Sequence, residues 1–280
     1  MNQLVEKVRE FIKAHNLFLP GHKILVAWSG GADSTALVEI LRALSQAMNV
    51  DMLIVHVDHG QTAGSHQALH RLRARARRLG LMFLGVTLSN TDLPPGSSEE
   101  RCRQQRYRVF QSLAREHGCD RVATGHTQDD QVETVLMRMV RGTRIDGLTG
   151  IPVKREELFI RPLLCCSRGE LRSFLRSRRI RWVEDPSNQN LRFLRNQIRH
   201  SLLPTLRTIN PEVDRALLRL SAAARRDCQV LSRMAAKVIF DHDPSGGAVM
   251  PLSRAQSLPD AVLLRVVLRM VRQLKGPGSN

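Results

Sequence analysis

Six consecutive residues, Ser29-Gly30-Gly31-Ala32-Asp33-Ser34, combine two hydroxyls, two glycines and one carboxylate. Glycines let backbone N–H groups approach an anion with no Cβ in the way, and Ser29 and Ser34 add hydroxyl donors. A carboxylate in such a turn would repel an anion, but it is useful if Asp33 holds Mg²⁺ against phosphate oxygens. The pattern therefore predicts a phosphate cradle made of Ser29, Gly30, Gly31, Ala32, Asp33 and Ser34. The lysine of a P-loop and the Gly-x-Gly-x-x-Gly of a dinucleotide fold are both missing from this turn. A second set lies in "TGHTQDDQVETV", where His126, Asp129, Asp130 and Glu133 crowd the start of an apolar repeat. On a helix, Asp130 and Glu133 share a face, as do Asp129 and Glu133. Paired carboxylates can hold a cationic amine, and one of them can take its proton.

Positioning these groups requires a strand before the cradle and a helix after it. "KILVAW" (23–28) is a short apolar run, and a helical pattern follows from Asp33 to about Met48. Strand patterns at 51–57, 81–88 and 120–125 alternate with helical ones. The helix over 65–79 sets Leu69, Leu72, Ala76 and Leu79 on one face. Ser97 and Glu100 form a capping-box spacing that opens a helix to about His117, stopped by Gly118. The acidic helix turns Val132, Val135, Leu136 and Met139 inward. Such alternation predicts an α/β fold, a parallel sheet with helices on both faces. Anions bind at the carboxyl ends of strands in such sheets.

Further along, 141–152 reads as a loop, 158–164 as a candidate fifth strand, and Ser167 with Glu170 as another capping box. "VEDPSNQN" (183–190) is turn-rich. The remainder is helical: a long helix to about Phe240, a linker at 241–247, and a last amphipathic helix. We expect a catalytic domain over 1–208 and a small helical domain over 209–280, with no internal repeat.

Charge narrows the partners. Lys+Arg number 43 against 26 Asp+Glu, a formal +17. The arginines cluster at 71–80, 101–108, 176–182 and 192–200, as expected of a surface that follows a nucleic acid backbone. The alternative is a solvated arginine-rich surface. Five cysteines, an odd number with no Cys-x-x-Cys, suggest free thiols. No apolar run reaches the roughly 20 residues of a membrane span, and the charged N-terminus lacks the apolar centre of a secretion signal. The expectation is a cytoplasmic protein.

Ser-Gly-Gly-x-Asp-Ser after the first strand resembles the pyrophosphate loop of N-type ATP pyrophosphatases, with an adenine nucleotide alpha hydrolase-like fold. These enzymes cleave ATP between the α and β phosphates and adenylate a substrate oxygen, which explains the missing lysine. "HVDHG" (56–60), "RYRVF" (106–110), "TGHTQDDQVETVLMRMVRGT" (124–143), "RPLL" (161–164) and "EDPSNQNLRFLRNQIRHSLLP" (184–204) are similar, in order, to the tRNA(Ile)-lysidine synthetase family. That resemblance implies ATP and Mg²⁺ as cofactors. It implies tRNA(Ile) with a CAU anticodon and L-lysine as substrates, and often a homodimer.

It also implies that His126, Asp130 and Glu133 line the site, the two acids receiving the lysine amine, and that Arg106 steadies a phosphate. Arg195 and Arg199 are both candidates to bind the lysine carboxylate or the adenylate. Asp58 would touch ribose or the adenosine pocket, or cap a turn. Many members carry a further C-terminal domain, for which 280 residues leave no room. The rival readings are a PP-loop tRNA thiolase, a small-molecule ligase of the GMP- or NAD-synthetase kind, and a non-catalytic nucleic acid-binding module.

Overall fold

The computed structural model describes residues 2–58, 65–88, 99–183, 194–242 and 247–275. Strands β1 (Lys23–Ala27), β2 (Asp51–Asp58), β3 (Met82–Thr87), β4 (Arg121–Ala123), β5 (Lys154–Arg155) and β6 (Phe159–Ile160) form one sheet in the order β3-β2-β1-β4-β6-β5. All neighbours pair in parallel except β5, which runs antiparallel to β6 at the edge. The sheet is thus parallel but for one short edge strand.

Side chains alternate across this sheet, and both faces are apolar. Ile24, Val26, Ile54, Ala123 and Ile160 join one core with helix α1 (Gln3–Ala14), α2 (Ala32–Met48), α3 (Ser65–Arg78) and α7 (Arg168–Ser177). Leu25, Leu53, Val55, Val122 and Phe159 join a second core with Phe110 and Ala114 of α4 (Glu99–Glu116). Helix α2 buries Leu37, Ile40, Leu41 and Leu44, and ends at Asn49 in the left-handed conformation. Helix α1 starts at Asn2, whose side chain accepts from Leu4 N at 2.9 Å, and buries Val5, Val8 and Ile12.

Several expected elements take another form. The candidate strand at 158–164 pairs only at Phe159 and Ile160, then becomes a 3₁₀ turn over Pro162–Cys165. Pro162 has no N–H to give a ladder, so the strand stops there. The loop at 141–152 holds the short helix α6 (Ile145–Leu148). The capping residue Ser97 lies outside the described residues, and so do 184–190 of the turn-rich loop. Within the linker at 241–247, Asp241–His242 pairs antiparallel with Ala248–Val249; residues 243–246 lie outside the described set. Ser167 does form a capping box with Glu170, opening α7.

By their contacts the residues fall into two units, Met1–Thr134 with Ile151–Thr208, and Val135–Gly150 with Ile209–Asn280. In the second, α10 (Val213–Ala236) and α11 (Asp260–Lys275) share a small core of Ala235, Val262 and Val266, joined by Val238 just past α10. Arg225 and Ser221 donate to Thr149 O at 2.8 and 3.0 Å, and Arg265 pairs with Asp146 at 2.9 Å. Among the described residues no helix is long and apolar enough to cross a membrane.

Candidate active site

The cradle forms where β1 gives way to α2, at the carboxyl end of the sheet. Gly30 has φ +89°, a left-handed conformation that favours glycine. Ser34 Oγ lies 2.9 Å from Ser29 Oγ, accepts from Ser29 N at 3.2 Å and donates to Gly31 O at 3.1 Å. Trp28 Nε1 donates to Thr35 Oγ1 at 3.0 Å, pinning the strand end to the first helical turn. Gly31 is the N-cap of α2, so the open backbone N–H groups and positive end of a 17-residue helix face the loop. Asp33 sits in that first turn.

Thr124, Gly125 and His126 follow β4 and press on the same turn. A Cβ on Gly125 would lie 3.1 Å from Ser34 N and 3.2 Å from Asp33 C, so a larger residue here would have to push the cradle backbone by a few tenths of an ångström. His126 Nδ1 is 2.9 Å from Thr124 Oγ1. Burial, reinforced by the charges of Arg161, Arg103 and Arg195 against the opposing pull of Asp130, pushes the His126 imidazole down to about 3, so it is neutral near pH 7.

Helix α5 (Gln128–Val140) presents the acids. Asp130 Oδ2 accepts from Thr127 N at 2.8 Å and Thr127 Oγ1 at 3.0 Å, which fixes the helix start. Its Oδ1 accepts from Arg168 Nη2 at 2.5 Å and Arg195 Nη2 at 2.9 Å. Glu133 is 1% exposed. Its Oε1 accepts from Arg168 Nη1 at 2.5 Å and Arg199 Nε at 2.7 Å, its Oε2 from Arg195 Nε and Arg199 Nη2, each at 3.0 Å. Arg168 Nε reaches Asp33 Oδ2 at 3.4 Å. Three guanidinium groups therefore face three carboxylates.

The balance of burial and charge differs among these acids. Burial alone would raise the carboxyl of Asp130, but Arg168 and Arg195 outweigh it and hold it well below the usual range. Glu133 is lowered likewise, burial being outweighed by hydrogen bonds from Arg199 and Arg168. For Asp33 burial wins over its longer contact with Arg168, and the carboxyl rises to about 6. Asp130 and Glu133 are thus held ionised to lower pH than free carboxyls.

The structure brings Asp33, Asp130, Glu133, Arg195 and Arg199 into one cluster, with His126 beside Asp130. Asp129 turns elsewhere and accepts from the backbone N of Arg168 at 2.8 Å, anchoring the start of α7. Arg106 is half-buried on α4, one turn after Arg103, whose charge acts on His126. Asp58 is buried at the end of β2. Arg195 and Arg199 come from α8 (Leu194–Gln197) and a π-helical turn, Ile198–Leu202, that interrupts the run into α9 (Leu203–Ile209); such bulges re-aim side chains at sites.

Sequence reasoning missed Arg168. Its only signals were its place just after a capping serine and the need of two buried acids for positive partners. Among the described residues no group of three or more His, Cys, Asp or Glu could hold a metal ion. Mg²⁺ bound chiefly by phosphates and water needs only one or two protein carboxylates, and Asp33 beside the phosphate cradle fits that demand.

A glycine-serine cradle with an acid in the first helical turn, on a doubly covered parallel sheet, defines a nucleotide-binding protein of the PP-loop class. The family model described as the PP-loop domain matches residues 1–206. The chain belongs to this family and, within it, to the tRNA(Ile)-lysidine synthases. It is 33% identical to the tRNA(Ile)-lysidine synthase of Geobacter sulfurreducens, over 99% of this chain and 60% of that protein. It is 32% identical to that of Nostoc sp., over 83% of this chain and 68% of the relative, and 40% identical to that of Symbiobacterium thermophilum, over 72% and 43%. The chain spans about 60% of the length of the first two curated relatives it matches. Among solved structures, the U34-tRNA thiolase NcsA of Methanococcus maripaludis superposes with a TM-score of 0.64 over 79% of this chain and 78% of its own, at 18% identity. That likeness is one of fold.

Proposed function

We propose that the chain makes lysidine on tRNA(Ile). In this reading, the oxygen at carbon 2 of the wobble cytidine in the CAU anticodon attacks the α-phosphate of ATP, and pyrophosphate leaves. The ε-amine of free lysine then displaces AMP from carbon 2, forming the carbon–nitrogen bond and losing a proton. The observation that carries this is the link from Asp33 in the cradle, through Arg168, to the ionised pair Asp130 and Glu133. An acid pair suited to an ammonium stands beside a cradle suited to pyrophosphate.

Each group has a task. Backbone N–H groups of Gly30 to Ser34 and the hydroxyls of Ser29 and Ser34 hold the departing pyrophosphate. Mg²⁺ at Asp33 would neutralise it. Asp130 and Glu133 bind the lysine ammonium, pKa ~10.4 in water, and one of them receives its proton as it attacks. Neutral His126 offers a hydrogen bond rather than a charge. Arg195 and Arg199 supply guanidinium forks for the lysine carboxylate or the adenylate phosphate, Arg106 steadies a phosphate, and Asp58 lines the adenosine pocket. We assign catalysis to residues 1–208 and a supporting role to the helical domain 209–280, in a cytoplasmic homodimer.

Labelled lysine, ATP and an unmodified tRNA(Ile) transcript test this. Label in the RNA with release of AMP and pyrophosphate is expected. Release of ADP, or no label while a sulfur donor yields a thiolated tRNA, would overturn it in favour of another PP-loop chemistry.

A further inference from the structure

Every oxygen of the proposed amine-binding pair already has a partner. Asp130 Oδ2 serves Thr127, and its Oδ1 serves Arg168 and Arg195. Glu133 Oε1 carries two guanidinium contacts, and Oε2 three, the third being Arg168 Nη2 at 3.5 Å. An ammonium entering this site has to displace a guanidinium, because a carboxylate offers only about four acceptor positions.

Arg195 also spans both acids, but the guanidinium that bridges them most closely is that of Arg168. Its two terminal nitrogens bridge Asp130 Oδ1 and Glu133 Oε1 at 2.5 Å each, shorter than the contacts of Arg195 and Arg199 with the same acids. Its third nitrogen reaches Asp33 at 3.4 Å, the weak arm of the fork. Its main chain, by contrast, is anchored by Asp129 at 2.8 Å and by the cap of α7. The head can therefore swing out while the backbone stays. Leaving gives up its contacts with two buried acids that Arg195 and Arg199 still hold, so a replacing cation favours the open position.

We propose that Arg168 is a built-in stand-in for the substrate amine: it fills the ammonium subsite between Asp130 and Glu133 until a cation displaces it, and so sets the apparent affinity for lysine. This rests on the lysidine-forming reading above. A subsite closed nine-tenths of the time weakens apparent affinity about tenfold. Neutral or weakly basic compounds cannot pay the exchange, which makes Arg168 a specificity-determining residue rather than a catalytic one.

The test is equilibrium binding of labelled lysine to the full chain without ATP or tRNA, alongside KM for lysine and for ATP in the incorporation assay. Arg168→Met and Arg168→Gln remove the competing charge, and Arg168→Lys keeps one. Thermal melts identify any variant that fails to fold, and the two uncharged variants back one another. Lysine binding and KM should tighten about tenfold in Arg168→Gln and Arg168→Met, with KM for ATP moving much less, and Arg168→Lys should stay close to wild type. Unchanged or weaker lysine binding in the uncharged variants, or the same tightening in Arg168→Lys, overturns the stand-in. If the wild-type chain attaches no lysine to tRNA, the lysidine reading itself fails; if it does and only the variants behave otherwise, the stand-in alone fails.

Discussion

Gly125 and Ser34 lie back to back: a Cβ on Gly125 would come within 3.1 Å of the Ser34 backbone N. The turn after β4 therefore braces the start of α2 in the Ser29–Ser34 turn, and the acidic helix α5 starts three residues later. The neighbour is backbone rather than a flexible side chain, so added bulk must move the cradle itself. Gly125→Ala should raise KM for ATP about tenfold and Gly125→Val should abolish turnover, since small misplacements of a reacting group cost up to about a hundredfold. ATP–pyrophosphate exchange in the presence of tRNA reads both.

Asp33 and Asp130 serve different substrates in the proposed reaction, and losing either should stop it. Asp33→Ala and Asp130→Ala should each abolish lysine incorporation. Activity above about a tenth of wild type removes that residue from its role, a tenth being about 1.4 kcal/mol of transition-state stabilisation.

Glu133 also carries stability. It is 1% exposed and receives three guanidinium groups. Removing one partner of a buried ion pair leaves the others uncompensated and costs about 3–5 kcal/mol. Glu133→Ala should lose stability on that order in urea denaturation, whereas Asp129→Ala, at the half-buried helix start, should lose less.

His126 gives a pH signature. Burial lowers its pKa to about 3 from an ordinary 6.5. The unfolded chain therefore binds a proton here that the folded one refuses, and stability from this residue is complete above about pH 6.5 and declines as pH falls toward 3. Replacing it by Gln should flatten the stability–pH curve between these values relative to wild type. A neutral His126 also predicts a wild-type rate profile with no His126 limb near pH 6.5, which steady-state rates from pH 5.5 to 8 would check.

The arginines of α3 should meet RNA. Arg71, Arg73, Arg77 and Arg78 are exposed, while Arg75 is engaged with Glu39 at 3.0 Å and Arg181 O at 2.7 Å. Arg77→Glu with Arg78→Glu should weaken tRNA binding, reduce its salt dependence by about one phosphate contact per arginine, and leave ATP binding nearly unchanged. Equal losses for both ligands would make this helix mere surface.

What the sequence alone determined is local. The cradle was legible because glycine at Gly30, with φ +89°, and a helix start at Ala32 are decisions of a few neighbouring residues. The alternation of apolar runs was legible because a doubly covered parallel sheet demands both faces of β1 and β2 be apolar; helical spacing set Asp129 and Asp130 equally beside Glu133, and only the family resemblance chose Asp130. The fate of 158–164 was half legible: Pro162 foretold an end to pairing, but not that the ladder would last only two residues.

Only the tertiary structure decided what those acids face. Arg168 meets Asp33 across 135 residues of chain, and Arg195 and Arg199 reach Glu133 across 62 and 66. No periodicity encodes such partners, and 43 cations offered too many choices. The choice falls to packing, because carboxylates taken out of water must be matched by whichever guanidinium groups the folded helices α7 and α8 and the π-helical turn after α8 deliver to them.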